Sequence, residues 1–68
     1  MWKIKRKYVN GAIMYSKIFD GMEITVLIAQ MGNGRWNVEP STNLFSERSF
    51  RTKEQALRYA RQQMKRNR

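Results

Sequence analysis

The chain contains no cysteine and no histidine. The first absence excludes a disulfide framework and thiolate metal sites; the second removes a common metal ligand and the usual general base near neutral pH. Acidic residues are also few, five in all: Asp20, Glu23, Glu39, Glu47 and Glu54. They are scattered through candidate turns, strand surfaces and a helix start, without the pairing that acid–base catalysis needs. We therefore expect no enzyme activity, no metal site and no cofactor. Gly32-Asn33-Gly34 is glycine-rich but leads into a strand pattern, whereas a phosphate-cradling loop leads into a helix through Lys-Ser or Lys-Thr. No apolar run is long enough to span a bilayer, and the first residues alternate charge with apolar bulk where a secretory signal is continuously apolar. A cytoplasmic protein without a membrane partner is the expectation.

Positive charge is abundant: fourteen Lys and Arg in 68 residues, a formal net charge of +9 and a pI near 10.7. Such a chain attracts polyanions, because each phosphate neutralised by Lys or Arg releases condensed counterions. Nucleic acid is the first expectation, ahead of an acidic protein partner. The length allows one domain, whose small core supplies only a few kcal/mol of net stability, so dimerisation or ligand binding is a candidate for the remainder.

In Trp2-Lys3-Ile4-Lys5-Arg6-Lys7-Tyr8-Val9 large apolar residues and lysines alternate. A strand with this pattern turns Trp2, Ile4 and Tyr8 to a core and sets Lys3, Lys5 and Lys7 in a row on the other face, with Arg6 breaking the pattern. Asn10-Gly11 is the residue pair of a tight type I′ turn, in which both positions take positive φ. Ala12 to Ile18 reads as a second strand, Asp20-Gly21 as a second turn, and Met22 to Gln30 as the central strand. After the turn Met31-Gly32-Asn33-Gly34, the alternation Arg35-Trp36-Asn37-Val38-Glu39 puts Trp36 and Val38 on one side and Arg35, Asn37 and Glu39 on the other.

Pro40 is expected to end the sheet, and Ser41 to Phe50 to form a loop pinned at Phe45 and Phe50. Thr52-Lys53-Glu54-Gln55 fits a capping box, and Ala56, Leu57, Ala60 and Met64 fall in one sector of the helix that follows. The predicted fold is a single small α+β domain over residues 1–68. An antiparallel sheet of three to four strands (about 2–40) is followed by a loop (41–51), one C-terminal helix packed on one face (about 52–66) and a basic tail (65–68).

The cations form three candidate nucleic-acid-binding groups. Lys3, Lys5 and Lys7 on the first strand, with Arg35 and Asn37 on the fourth, suit a sheet face that meets DNA: Lys and Arg position on phosphates, while Arg and Asn can pair with base edges. Arg58, Arg61, Lys65, Arg66 and Arg68 make a stripe along the helix and into the tail, more than the helix dipole calls for. Arg48, Arg51 and Lys53 flank the helix N-terminus, where backbone N–H groups already favour an anion. Trp2, Tyr8 and Trp36 share the parity of the apolar residues of their own strands and are read as core rather than as base-stacking surfaces. On the second strand Ile13, Tyr15, Lys17 and Phe19 share one face and Met14 and Ile18 the other. A strand apolar on both faces needs cover on both, so Tyr15 and Phe19 are candidate interface residues for a second copy or a host protein.

Gly34-Arg35-Trp36-Asn37-Val38, a loop, then Ser49-Phe50-Arg51-Thr52-Lys53-Glu54-Gln55-Ala56 and Tyr59-Ala60 resembles the small N-terminal arm-binding domains of phage and transposon integrases. The resemblance covers the last half of the chain. It implies a three-stranded sheet on a C-terminal helix, with the sheet face entering the DNA major groove, Arg35 and Asn37 facing DNA, and Trp36, Phe50 and Ala56 structural. With no recombinase domain following, the expected role is that of a phage or mobile-element regulator or accessory factor. Binding of double-stranded DNA through the sheet face is thus the leading expectation. A protein-interaction module, such as a phage-encoded inhibitor or adaptor of a host protein, comes second, and RNA binding third.

Overall fold

Alternating apolar and polar side chains organise the first fifty residues into strands, as the computed structural model, which describes residues 1–67, shows. The elements are β1 (Lys3–Lys7), β2 (Ile13–Phe19), β3 (Met22–Gln30), β4 (Trp36–Pro40), β5 (Arg48–Phe50) and α1 (Lys53–Arg66). The strands pair antiparallel in sequence order, giving one five-stranded meander with the helix on one face. Arg68, the end of the expected basic tail, lies outside the described residues.

The sheet has five strands where three to four were expected, because Arg48-Ser49-Phe50 pairs with β4 instead of remaining loop. Three residues are too few to show a period, and what holds them is tertiary: Phe50 lies opposite Trp36 and packs on the core. Pro40 is the last residue of β4 and is tolerated because β5 pairs only with Trp36, Asn37 and Val38, leaving the proline on a free edge.

Turn chemistry sets the register. Asp20-Gly21 makes a two-residue hairpin with φ of 53° and 79°, as a type I′ turn requires. Asn10-Gly11 does not: only Gly11 has positive φ, 91°, and the loop spans Val9, Asn10 and Gly11. There the Gly11 N–H donates to the Tyr8 carbonyl, the Tyr8 N–H to the Ala12 carbonyl, and the Ala12 N–H to Asn10 Oδ1. The β3–β4 turn repeats these bonds one for one: Gly34 N–H to Met31 O, Met31 N–H to Arg35 O, and Arg35 N–H to Asn33 Oδ1. Both are three-residue loops closed by a left-handed glycine, and in both the asparagine caps the strand that follows.

β1 departs from the simple alternation. Lys3 lies opposite Ser16 and Ile4 opposite Tyr15, but Arg6 lies opposite Met14, so Lys5 is the extra residue of a β-bulge. The bulge exchanges the faces beyond it. Lys3, Lys5 and Arg6 share the side away from the helix, while Lys7, opposite Ile13, turns to the helix side. Tyr8 stands with Arg6, whose guanidinium lies 5.8 Å from its ring centroid, and not with the core.

The core lies between α1 and the middle of the sheet. Val26, Ile28 and Val38 are fully buried under Ala56, Ala60 and Met64, with Trp2, Tyr15, Trp36, Phe45, Phe50, Leu57 and Tyr59 packed around them. The alanines let the helix lie close, and Thr52 starts it by accepting from the Gln55 N–H at 3.2 Å. The return bond of a capping box, from the Gln55 amide to the cap, is not formed among the described residues. α1 rests on β3, β4 and β5 and does not extend over β1 and β2. The helix side of the first two strands is therefore roofed only at its rim.

Candidate nucleic-acid interface

Strand register separates the charges. The face away from the helix carries Lys3, Lys5, Arg6 and Arg35, but also Glu23, Glu39 and Glu47. Lys5 is paired with Glu23 at 2.6 Å, the one ion pair among the described residues. Arg35 donates from Nε and Nη2 to the hydroxyl and carbonyl of Ser49, and Asn37 donates to Glu47 at 2.6 Å. The two side chains expected to read bases do share a face, as their alternation implied, yet each is engaged by β5 or the loop before it. Met14 and Leu27 lie half-buried at the centre of this face.

The helix side is different. Arg58, Arg61, Lys65 and Arg66 are exposed along α1, and Glu54 is the only acid on the helix. Arg51 is exposed before the helix N-terminus. Lys53 is half-buried with its ammonium 5.5 Å from the Trp36 ring centroid, and Arg48 lies over Phe50 and Tyr59 at 5.5 and 5.3 Å. The expected phosphate site at the helix start is thus split, with two of its three cations held against aromatic rings.

The stripe along α1 opens onto different clefts. Arg61 and Lys65 line one of about 610 Å³ together with Met1, Trp2 and Met64. Arg58 borders another of about 290 Å³ with Arg48, Phe50, Gln55, Tyr59 and Gln62. Arg66 lines a third of about 260 Å³ with Lys17, Phe19, Ile24, Leu44 and Asn67.

The third cleft is lined by a cation that sequence reasoning did not single out. Lys17 is only 8% exposed, and its ammonium donates to the carbonyl of Asn67, the helix C-cap, at 2.9 Å. The Trp2 indole N–H donates to the same oxygen at 3.2 Å, and the ammonium lies 5.9 Å from the Trp2 centroid and 5.7 Å from that of Phe19. The negative end of the helix dipole and two aromatic rings thus take the place of a carboxylate. Alternation placed Lys17 beside Tyr15 and Phe19, but nothing local in sequence signals that a helix end fifty residues away meets it.

Of the two candidate interface residues, Tyr15 packs against the chain's own core, whereas Phe19 is 58% exposed. Phe19 belongs to the tip of the β2–β3 hairpin with Ile18 and Met22, 65% and 66% exposed. Among the described residues no three acids gather where a metal ion would sit, and no helix is long and apolar enough to cross a membrane. Comparison with protein-family models, with curated proteins and with solved structures finds no match.

Proposed function

We propose that this chain binds nucleic acid, DNA ahead of RNA, by setting the cationic side that carries α1 against the phosphate backbone. The observation that carries the reading is the segregation of charge: Arg58, Arg61, Lys65 and Arg66 are exposed on a helix with one acid, while three glutamates sit on the opposite sheet face. That segregation moves the proposed docking surface from the sheet to the helix side, with Lys7, Arg51 and Lys53 as flanking charge and with Lys3 and Lys5 on the face turned away from it. Arg35 and Asn37 hold the β4–β5 edge together in this reading. The resemblance to integrase arm-binding domains is what puts DNA first, and a regulatory or accessory role in a phage or mobile element is the context it suggests.

Salt provides the test. Three to four phosphate contacts from the α1 cations give a slope of log affinity on log salt of about −2.7 to −3.6, so affinity for a DNA duplex falls about 40- to 150-fold between about 50 and 200 mM salt. A slope near zero overturns the reading. A second reading, a protein-interaction module, is favoured by the exposed Ile18, Phe19 and Met22 tip, and an apolar contact there would be nearly indifferent to salt.

A further inference from the structure

We propose that the cleft between the start of β1 and the last turns of α1 takes an unpaired nucleotide, its base stacked on Trp2 and its phosphates held by Arg61 and Lys65. The inference deepens the nucleic-acid reading above and rests on it. Four observations meet in this cleft. It is open and about 610 Å³, within the range of small-molecule sites. Its lining contains an indole, two methionines and two exposed cations, and no acid. The indole is pre-organised, because its N–H is already bonded to the Asn67 carbonyl and the buried Lys17 ammonium stands near the ring. The cleft exists because α1 covers β3, β4 and β5 but leaves β1 and β2 beside it uncovered.

An aromatic ring beside exposed cations is the arrangement by which single strands are held: stacking is indifferent to base identity, and the cations follow the backbone. Met1 and Met64 supply adaptable apolar walls for bases of different size. A base inside an intact duplex is stacked on its neighbours and does not reach the indole, so the cleft selects for unpaired strand over duplex.

The test uses the full chain and reads tryptophan emission. Oligo(dT), oligo(U), a DNA duplex of equal length and inorganic polyphosphate are titrated into the protein and into Trp2→Leu, Trp36→Phe and Arg61→Glu/Lys65→Glu variants. The oligonucleotides are expected to quench emission in the parent and in Trp36→Phe, but not in Trp2→Leu. Trp2→Leu is expected to lose about five- to 150-fold in single-strand affinity, the equivalent of one stacked base, while duplex affinity changes less than about twofold. Where far-UV circular dichroism shows Trp2→Leu unfolded, acrylamide quenching of Trp2 in the Trp36→Phe variant decides: bound oligo(dT) should shield the indole, and unchanged accessibility overturns the cleft. Arg61→Glu/Lys65→Glu, exposed at both positions, should weaken single strands and duplex together. Stronger quenching by oligo(dT) names DNA as the source of the nucleotide and stronger quenching by oligo(U) names RNA; both support the site. Binding of single strands without quenching, or equal quenching by polyphosphate, overturns the cleft and leaves the nucleic-acid reading standing. Failure of every polymer to bind overturns both.

Discussion

Ile28 and Leu27 are sequence neighbours of equal volume on opposite faces of the central strand, and truncating each to alanine separates the two sides of the sheet. Ile28 is fully buried, flanked by Ile13 and Val38 on the adjacent strands and covered by α1. Leu27 is half-buried between Met14 and Glu39 on the face that no element among the described residues covers. Removing a buried aliphatic side chain to alanine costs about 2–5 kcal/mol, transfer and cavity together. At about 0.05–0.15 kcal/mol per residue, a domain of this size has only about 3–10 kcal/mol to lose. Ile28→Ala should therefore leave a large unfolded fraction without denaturant. Ile28→Val, at about 1 kcal/mol, should stay folded with a melting temperature about 4–8 °C lower. Leu27→Ala forfeits roughly half of a full burial, about 1 kcal/mol. Urea unfolding followed by far-UV circular dichroism measures all three. Equal losses for Leu27→Ala and Ile28→Ala would refute the reasoning, because Leu27 would then be as enclosed as Ile28 and the open face would have to be covered by something, such as a second copy.

Further expectations concern the helix ends and one turn. Thr52→Ala should cost about 1 kcal/mol, since its hydroxyl accepts from the Gln55 N–H, and Thr52→Ser should restore most of it in the same assay. Lys17→Met keeps the length of the buried side chain and removes a cation with no carboxylate partner among the described residues, so stability should change by no more than about 1.5 kcal/mol; Lys17→Glu, against the helix C-terminal carbonyl, should cost more than about 3 kcal/mol. Similar costs for the two would show that the ammonium itself is indispensable. Gly34→Ala meets open space but must adopt a φ of 85°, a loss of about 1–2 kcal/mol visible as a lower urea midpoint.

Much of the architecture was legible because it is periodic. The run Ile24 to Ala29, the Trp36 and Val38 face, the threonine cap and the Ala56, Ala60, Met64 sector each carry their own local signal, and all lie where that signal puts them. What was not legible belongs to pairing between segments. The bulge at Lys5 turns Lys7 to the helix side and Arg6 to the open one, and a bulge is defined only against the partner strand. Asn10-Gly11 has the composition of a two-residue turn, but the bonds of Tyr8 with Gly11 and Ala12 make it a three-residue loop. β5 is too short to show a period. The Trp2 cleft and the burial of Lys17 depend on where the end of α1 falls, which no residue near either of them encodes.

The most direct measurement compares two charge reversals that change the net charge equally: Arg61→Glu/Lys65→Glu on the helix side and Lys3→Glu/Arg6→Glu on the open sheet face. DNA affinity is measured for both at one fixed ionic strength. Docking through the helix side predicts a loss of more than about 100-fold for the first pair, as two phosphate contacts become repulsive, and less than about threefold for the second. The opposite ranking would contradict it and return the interface to the sheet.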